Sequence, residues 1–475
     1  MFVARIVLPA MAAALLCATA FAAQPGLELQ GNLELVWGDS APDAASHGDR
    51  LIGNLVLDDG RRIALDVDSA RFAAGDLYAL QGHRIALVAA ADAGSGVESS
   101  AATLLRAETI VSAEPVRPVA AANSVTGSQP WVTIACKFND ITSEPKDLAY
   151  FQAMLSDSPG RLDDYWRIVS HGKVNVAGSA AYGWFTLPHP RSYYIPSGGS
   201  ADLAKLFTDC TSVANPTVDF SAFIGINQMF NGDLDGFAWG GNRSATLDGK
   251  SGLWSVTWEP PWAYQNEAPL AHEMGHGFGL PHANNSDLDS DPYDNPWDVM
   301  SDWRADATSD LTFGTLPKHI NIYHRDRLGW IDAARKLTIG SAGIWANLSL
   351  DAAEIDSSTN LQMIVVTLPG AAATHYYTIE ARRAGDAGDA YDRNLAGSAV
   401  IIHEIDTTRK EPAWSVDAQS PPANVADDPG SMFVAGESWA APGGAFFVSV
   451  TATTQTGFVV SVDRASADLI FRDGF

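Results

Sequence analysis

The stretch His272-Glu273-Met274-Gly275-His276-Gly277-Phe278-Gly279-Leu280-Pro281-His282 decides how this chain is read. His272 and His276 are four residues apart, so on a helix both imidazoles project from one face and can take two corners of a tetrahedral zinc site. Glu273, next to the first of them, can aim its carboxylate at a water on the metal without being a ligand itself. Gly279 permits the positive φ that ends the helix and turns the chain sharply, which brings His282 back as a third ligand. Three histidines leave the fourth position for water, and an open position marks a catalytic rather than a structural zinc site. The helix carrying the motif is expected to start near Asn266.

Downstream, Trp297-Asp298-Val299-Met300-Ser301 places Met300 18 residues after His282. That is where a methionine turn would run beneath the zinc. The extended motif and this turn together resemble the metzincin clan of zinc peptidases, and within it the secreted gametolysin and immune inhibitor A groups. The narrower likeness is carried by Ser158-Pro159-Gly160-Arg161-Leu162-Asp163-Asp164-Tyr165-Trp166, Tyr182-Gly183-Trp184-Phe185-Thr186-Leu187-Pro188 and Tyr323-His324-Arg325-Asp326-Arg327-Leu328-Gly329-Trp330. It spans about residues 129–332, and 376–406 more loosely. The resemblance implies an α+β metzincin-like catalytic domain with a twisted sheet and an active-site helix, a Zn2+ cofactor, and protein or peptide substrates. Some metzincins carry a tyrosine two residues after the methionine. Here that position is Asp302, so the group stabilising the oxyanion is unassigned.

The function expected is that of a secreted zinc-dependent endopeptidase, hydrolysing peptide bonds through a zinc-bound water activated by Glu273. Substrate would lie extended along an edge strand, for which residues 237–241 are the candidate. The alternative is a secreted binding protein with a structural zinc site and no turnover. Glu273 and the open fourth position favour the enzyme.

A chain of 475 residues is too long for one ordinary core. Arg5, the apolar run that follows and Ala20-Phe21-Ala22 read as a signal peptide over residues 1–22, which places the protein outside the cell or at its surface. No run reaches the roughly 20 apolar residues of a transmembrane helix. Short alternating runs over 23–106, broken by turns such as Asp58-Asp59-Gly60, predict a small β-barrel-like domain and a candidate prodomain. Residues 107–128, rich in Ala, Pro, Val and Ser, read as a linker open to proteolysis. The catalytic domain is expected over 129–335, a C-terminal β-sandwich over 336–465 and a tail over 466–475. The N-terminal domain is expected to hold the enzyme latent, or to assist its folding, until the linker is cut. With no cysteine between the signal peptide and Cys136, a thiol switch is excluded, and a carboxylate such as an Asp could instead occupy the zinc's open position.

The formal net charge of −26 argues against nucleic-acid binding, which needs a basic face. Once Cys17 leaves with the signal, Cys136 and Cys210 remain as the one candidate disulfide. Asp287, Asp289 and Asp291, with Asp294 nearby, are candidate Ca2+ ligands, set evenly against a solvated loop of turn-forming aspartates. Asn231 to Gly236 begins like a calcium loop but reads rather as a turn; neither stretch supplies the Glu that completes an EF-hand. His319 and His324, five apart, suit packing better than metal binding. Trp254, Trp258 and Trp262 fit a substrate cleft or a core equally well.

Overall fold

The computed structural model describes residues 28–42, 44, 48–89, 104–113, 124–289, 291–356, 358–385, 389–419, 422 and 429–464. The expected signal peptide and tail lie outside them. Leu33, Leu35 and Trp37 point one way from the strand Glu28–Ser40, and Val36 points the other. That period of two lets a single strand serve two cores. Its odd residues join Leu55, Leu65, Ile85 and Ile110 in an N-terminal core, whereas Val36 packs with Ile134, Trp239 and Val256 in the middle of the molecule.

Five N-terminal strands run in the order Arg62–Leu65, Asp49–Val56, Glu28–Ser40, Arg84–Ala89, Ala107–Ser112, and a bridge between Leu65 and Leu105 brings the two ends together. The helix Val67–Ala74, capped by Asp66, belongs to the same unit. Two features differ from the sequence reading. The expected linker begins with a strand, because Ala107 and Ile110 bury themselves in the N-terminal core. The unit is also not a separate body. Its first strand pairs antiparallel with Phe237–Leu247, so that N-terminal and middle strands form one ten-stranded sheet.

Beyond that junction the sheet continues through Lys250–Glu259, Gly225–Phe230, Trp131–Lys137 and Ala180–Thr186, all four joined in parallel. Helices cover both faces, as sheets containing parallel strands require. Leu148–Met154, Leu162–Val169 and Glu267–Gly277 pack with Met300 and Trp330 on one side. Leu203–Ala214 packs on the other, where Cys210 is joined to Cys136 of the sheet.

The C-terminal part is two sheets over one core. Ile364, Ile379 and Ile402 from a six-stranded sheet meet Val448, Val460 and Val462 from a four-stranded one. The six-stranded sheet reaches back past residue 336, because Ala283–Asn285, directly after His282, pairs in parallel with Ala413–Ser415.

Candidate metal centre

His272 and His276 lie on the helix Glu267–Gly277. The helix ends as the Gly279 N–H donates to His276 O and Gly279 takes φ 95°; the Leu280 N–H then bonds back to Gly275 O, and His282 arrives beside the other two. The three Nε2 atoms are 3.1 Å apart in every pair. Each Nδ1 faces an acceptor: Val299 O at 2.7 Å for His272, Leu280 O at 2.7 Å for His276 and Asp49 Oδ2 at 3.0 Å for His282. With the ring proton held on Nδ1, each Nε2 presents a bare lone pair. Three such lone pairs converging in a buried space repel one another unless a cation lies among them, so the donor set fits a metal ion.

The fourth member of the group is Asp39, from the N-terminal strand. Its Oδ1 lies 2.8 Å from His282 Nε2 and 3.5 Å from His272 Nε2, and its Oδ2 lies 3.5 Å from His276 Nε2. The Tyr293 hydroxyl donates to Asp39 Oδ1 at 2.7 Å. Trp37, two residues before Asp39, stacks on His276 with ring centroids 5.3 Å apart and tilts over His282 at 4.4 Å. Asp49 stands opposite Asp39 on the neighbouring strand, and its second oxygen is bound by Lys410.

Glu273 is buried beneath the strand Phe237–Leu247. A Cβ on Gly240 would lie 2.4 Å from the Glu273 carbonyl oxygen and 2.6 Å from its Oε2, so only glycine lets helix and strand approach this closely. Glu273 Oε2 has no hydrogen-bond partner among the described residues. Burial, with the Asp39 and Glu259 carboxylates nearby, holds its pKa well above the usual carboxylate range.

Met300 passes under the helix, where a Cβ on Gly275 would meet its Sδ at 2.5 Å. Its N–H donates to Asp298 Oδ1 at 2.9 Å, while Asp298 Oδ2 faces His324 Nδ1 at 2.8 Å with both side chains buried. His324 thus braces the turn that carries Met300, and His319 faces Asp389 at 2.6 Å. Trp254 and Trp258 belong to the core. In the 231–236 stretch, Asn231 accepts from the Phe138 N–H and donates to two carbonyls, and Asp235 takes Arg50, the Ala201 N–H and Trp239, which makes it a braced turn.

The second acidic cluster gathers Asp287, Asp289 and Asp294, whose ligand atoms lie within 4.8 Å of one another. The expected set had Asp291 in place of Asp294. Asp291 Oδ1 instead accepts the Tyr293 N–H at 3.0 Å. Burial first, then Asp287 and the other loop aspartates, pushes Asp294 up to about 8.

The candidate edge at 237–241 is covered. Val36, Trp37, Gly38, Asp39 and Ser40 pair antiparallel with Gly241, Gly240, Trp239, Ala238 and Phe237. Sequence reasoning did not name Asp39, Asp49, Tyr293 or Gly240. One signal for Asp39 is present in hindsight: Gly38-Asp39-Ser40 closes a run of strand formers with residues that strands disfavour. Compared with protein families, curated proteins and solved structures, the chain matches none.

Proposed function

We propose that this chain is the latent precursor of an exported zinc endopeptidase of metzincin type. The observation that carries the reading is the convergence of three histidine Nε2 lone pairs, 3.1 Å apart, with a buried carboxylate, Glu273, beside them. Tetrahedral zinc with bonds of about 2.0–2.1 Å spaces nitrogen ligands by about 3.3–3.4 Å, close to what these rings adopt. Bound there, zinc supplies Lewis acidity and lowers the pKa of a coordinated water towards about 7.

The chain's own residues do the rest. Glu273 takes the proton of the attacking water and returns it to the leaving amine. Residues 237–241 offer backbone groups to an extended peptide, once the strand now paired there has left. Tyr293, already a donor to a carboxylate oxygen at this position, is the candidate to hold the oxyanion.

Latency rests on Asp39. It occupies the position a water would need, and its strand fills the groove a substrate would need. The N-terminal unit is held by the pairing of its first strand with Phe237–Leu247, by Val36 in the middle core, and by polar contacts: Arg71 to Thr408 O at 2.7 Å, Tyr78 to Lys410 O at 2.7 Å, and Arg327 to both oxygens of Asp76 at 3.0 and 3.2 Å.

The second reading is favoured by the same aspartate. A closed set of three histidines and one aspartate is what a structural metal site in a binding protein would have. Casein hydrolysis by the full chain before and after cleavage at Asn123 and removal of the N-terminal unit separates the two. Activity that appears on removal and disappears with a zinc chelator supports the enzyme; zinc lost together with the unit, and no activity, supports the binding protein.

A further inference from the structure

We propose that Asp287, Asp289 and Asp294 form a calcium site on the loop that joins the third histidine to the methionine turn. The inference does not rest on the reading of the histidine centre. Its basis is Asp294, which is only 4% exposed and whose Oδ2 has no hydrogen-bond partner among the described residues. The other oxygen, Oδ1, accepts the Asn285 N–H at 3.2 Å. The unsatisfied Oδ2 therefore belongs to a carboxylate aimed at two others within 4.8 Å. Asp287 repeats the pattern: Oδ1 accepts the Asp289 N–H at 2.9 Å, while Oδ2 is buried with no hydrogen-bond partner among the described residues. A buried oxygen left unbonded among like charges is costly, and a cation is the group that satisfies all of them together.

The chemistry of the donors selects the ion. They are all oxygen, with neither the imidazole nor the thiolate that would draw zinc. They sit on an irregular loop, with Asp289 exposed so that water can complete the shell. Calcium accepts six to eight oxygens in flexible geometry, whereas magnesium demands a near-ideal octahedron. The site would tie the two ends of the loop through Asn285 and Asp294 and hold Tyr293, one residue before Asp294, against Asp39.

The test counts calcium on the full chain loaded with zinc. Equilibrium dialysis against radioactive calcium in excess magnesium should give wild type one calcium more per chain than Asp294→Asn, with zinc content equal in both. Asp289→Asn, at an exposed position that leaves the fold intact, should weaken binding by at least about tenfold. Glu273→Gln should bind calcium as wild type does, so failure of the peptidase reading and failure of this one are separable. Equal calcium in wild type and Asp294→Asn would overturn the site, as would no uptake by wild type at millimolar calcium, which would leave Asp294 a protonated carboxyl.

Discussion

Asp39→Ala in the full chain removes one carboxylate and leaves the strand that carries it. The backbone pairing of residue 39 with Ala238 on one side and Asp49 on the other survives, because alanine keeps the same N–H and C=O. What is lost is the oxygen 2.8 Å from His282 Nε2 and the acceptor of the Tyr293 hydroxyl. A contact of this kind to a charged group contributes about 1.5–3 kcal/mol, a factor of about 10–150 in the population with the fourth position open. Two measurements read that factor. Removal of zinc by a small chelator, and binding of a small hydroxamate, should each become faster or tighter by about 10- to 150-fold. Casein hydrolysis should remain low, since five residue pairs still cover the edge at 237–241. Asp39→Asn, which keeps shape and loses charge, should fall between. Chelation of Asp39→Ala at the wild-type rate would refute the idea that Asp39 guards the metal. Complete loss of zinc with a fall in Tm would make Asp39 a structural ligand instead.

Once the N-terminal unit is removed, Glu273→Gln should keep its zinc by elemental analysis while casein hydrolysis falls by at least about 10²–10⁴-fold. His282→Ala should lose zinc affinity itself and recover part of its activity when zinc is added. Cys136→Ser should lower unfolding stability by up to about 4.5 kcal/mol in the chain-entropy account of a bond closing 74 residues of sequence, read by denaturant titration. Gly240→Ala should cost about 1–3 kcal/mol and suppress activity by pressing on Glu273. Gly252→Ala, whose Cβ would meet nothing within 4 Å, is the neutral control in both Tm and turnover.

The histidine triad was legible because its chemistry is local: helix periodicity and one glycine turn bring three residues together within eleven positions of sequence. The β-rich character expected over 336–465 was legible for the same reason, since the alternation within strands such as Met363–Thr367, Ala399–Asp406 and Gly457–Arg464 is a short-range signal. Asp49 and His282 are 233 residues apart, and no spacing rule reaches that far. Asp39 reaches the centre only because one strand serves two cores, and pairing between strands remote in sequence is not written in either strand alone. Asp287, Asp289, Asp291 and Asp294 were all visible as one acidic cluster; burial, which sequence does not display, is what groups Asp294 rather than Asp291 with Asp287 and Asp289.

Asp39 and Asp49 face each other across one strand pair and address opposite nitrogens of the same imidazole. The Asp49 acceptor is what keeps the His282 proton on Nδ1 and its lone pair turned to the metal. Under the proposed maturation, the hairpin that blocks the centre is thus also the template on which its third ligand is set, and removing it discards the instruction along with the block. A mature chain that unfolds would return to a His282 with no fixed tautomer. Its persistence would be governed by how slowly it unfolds rather than by any equilibrium it could restore. The full chain, still carrying the hairpin, would refold and reload.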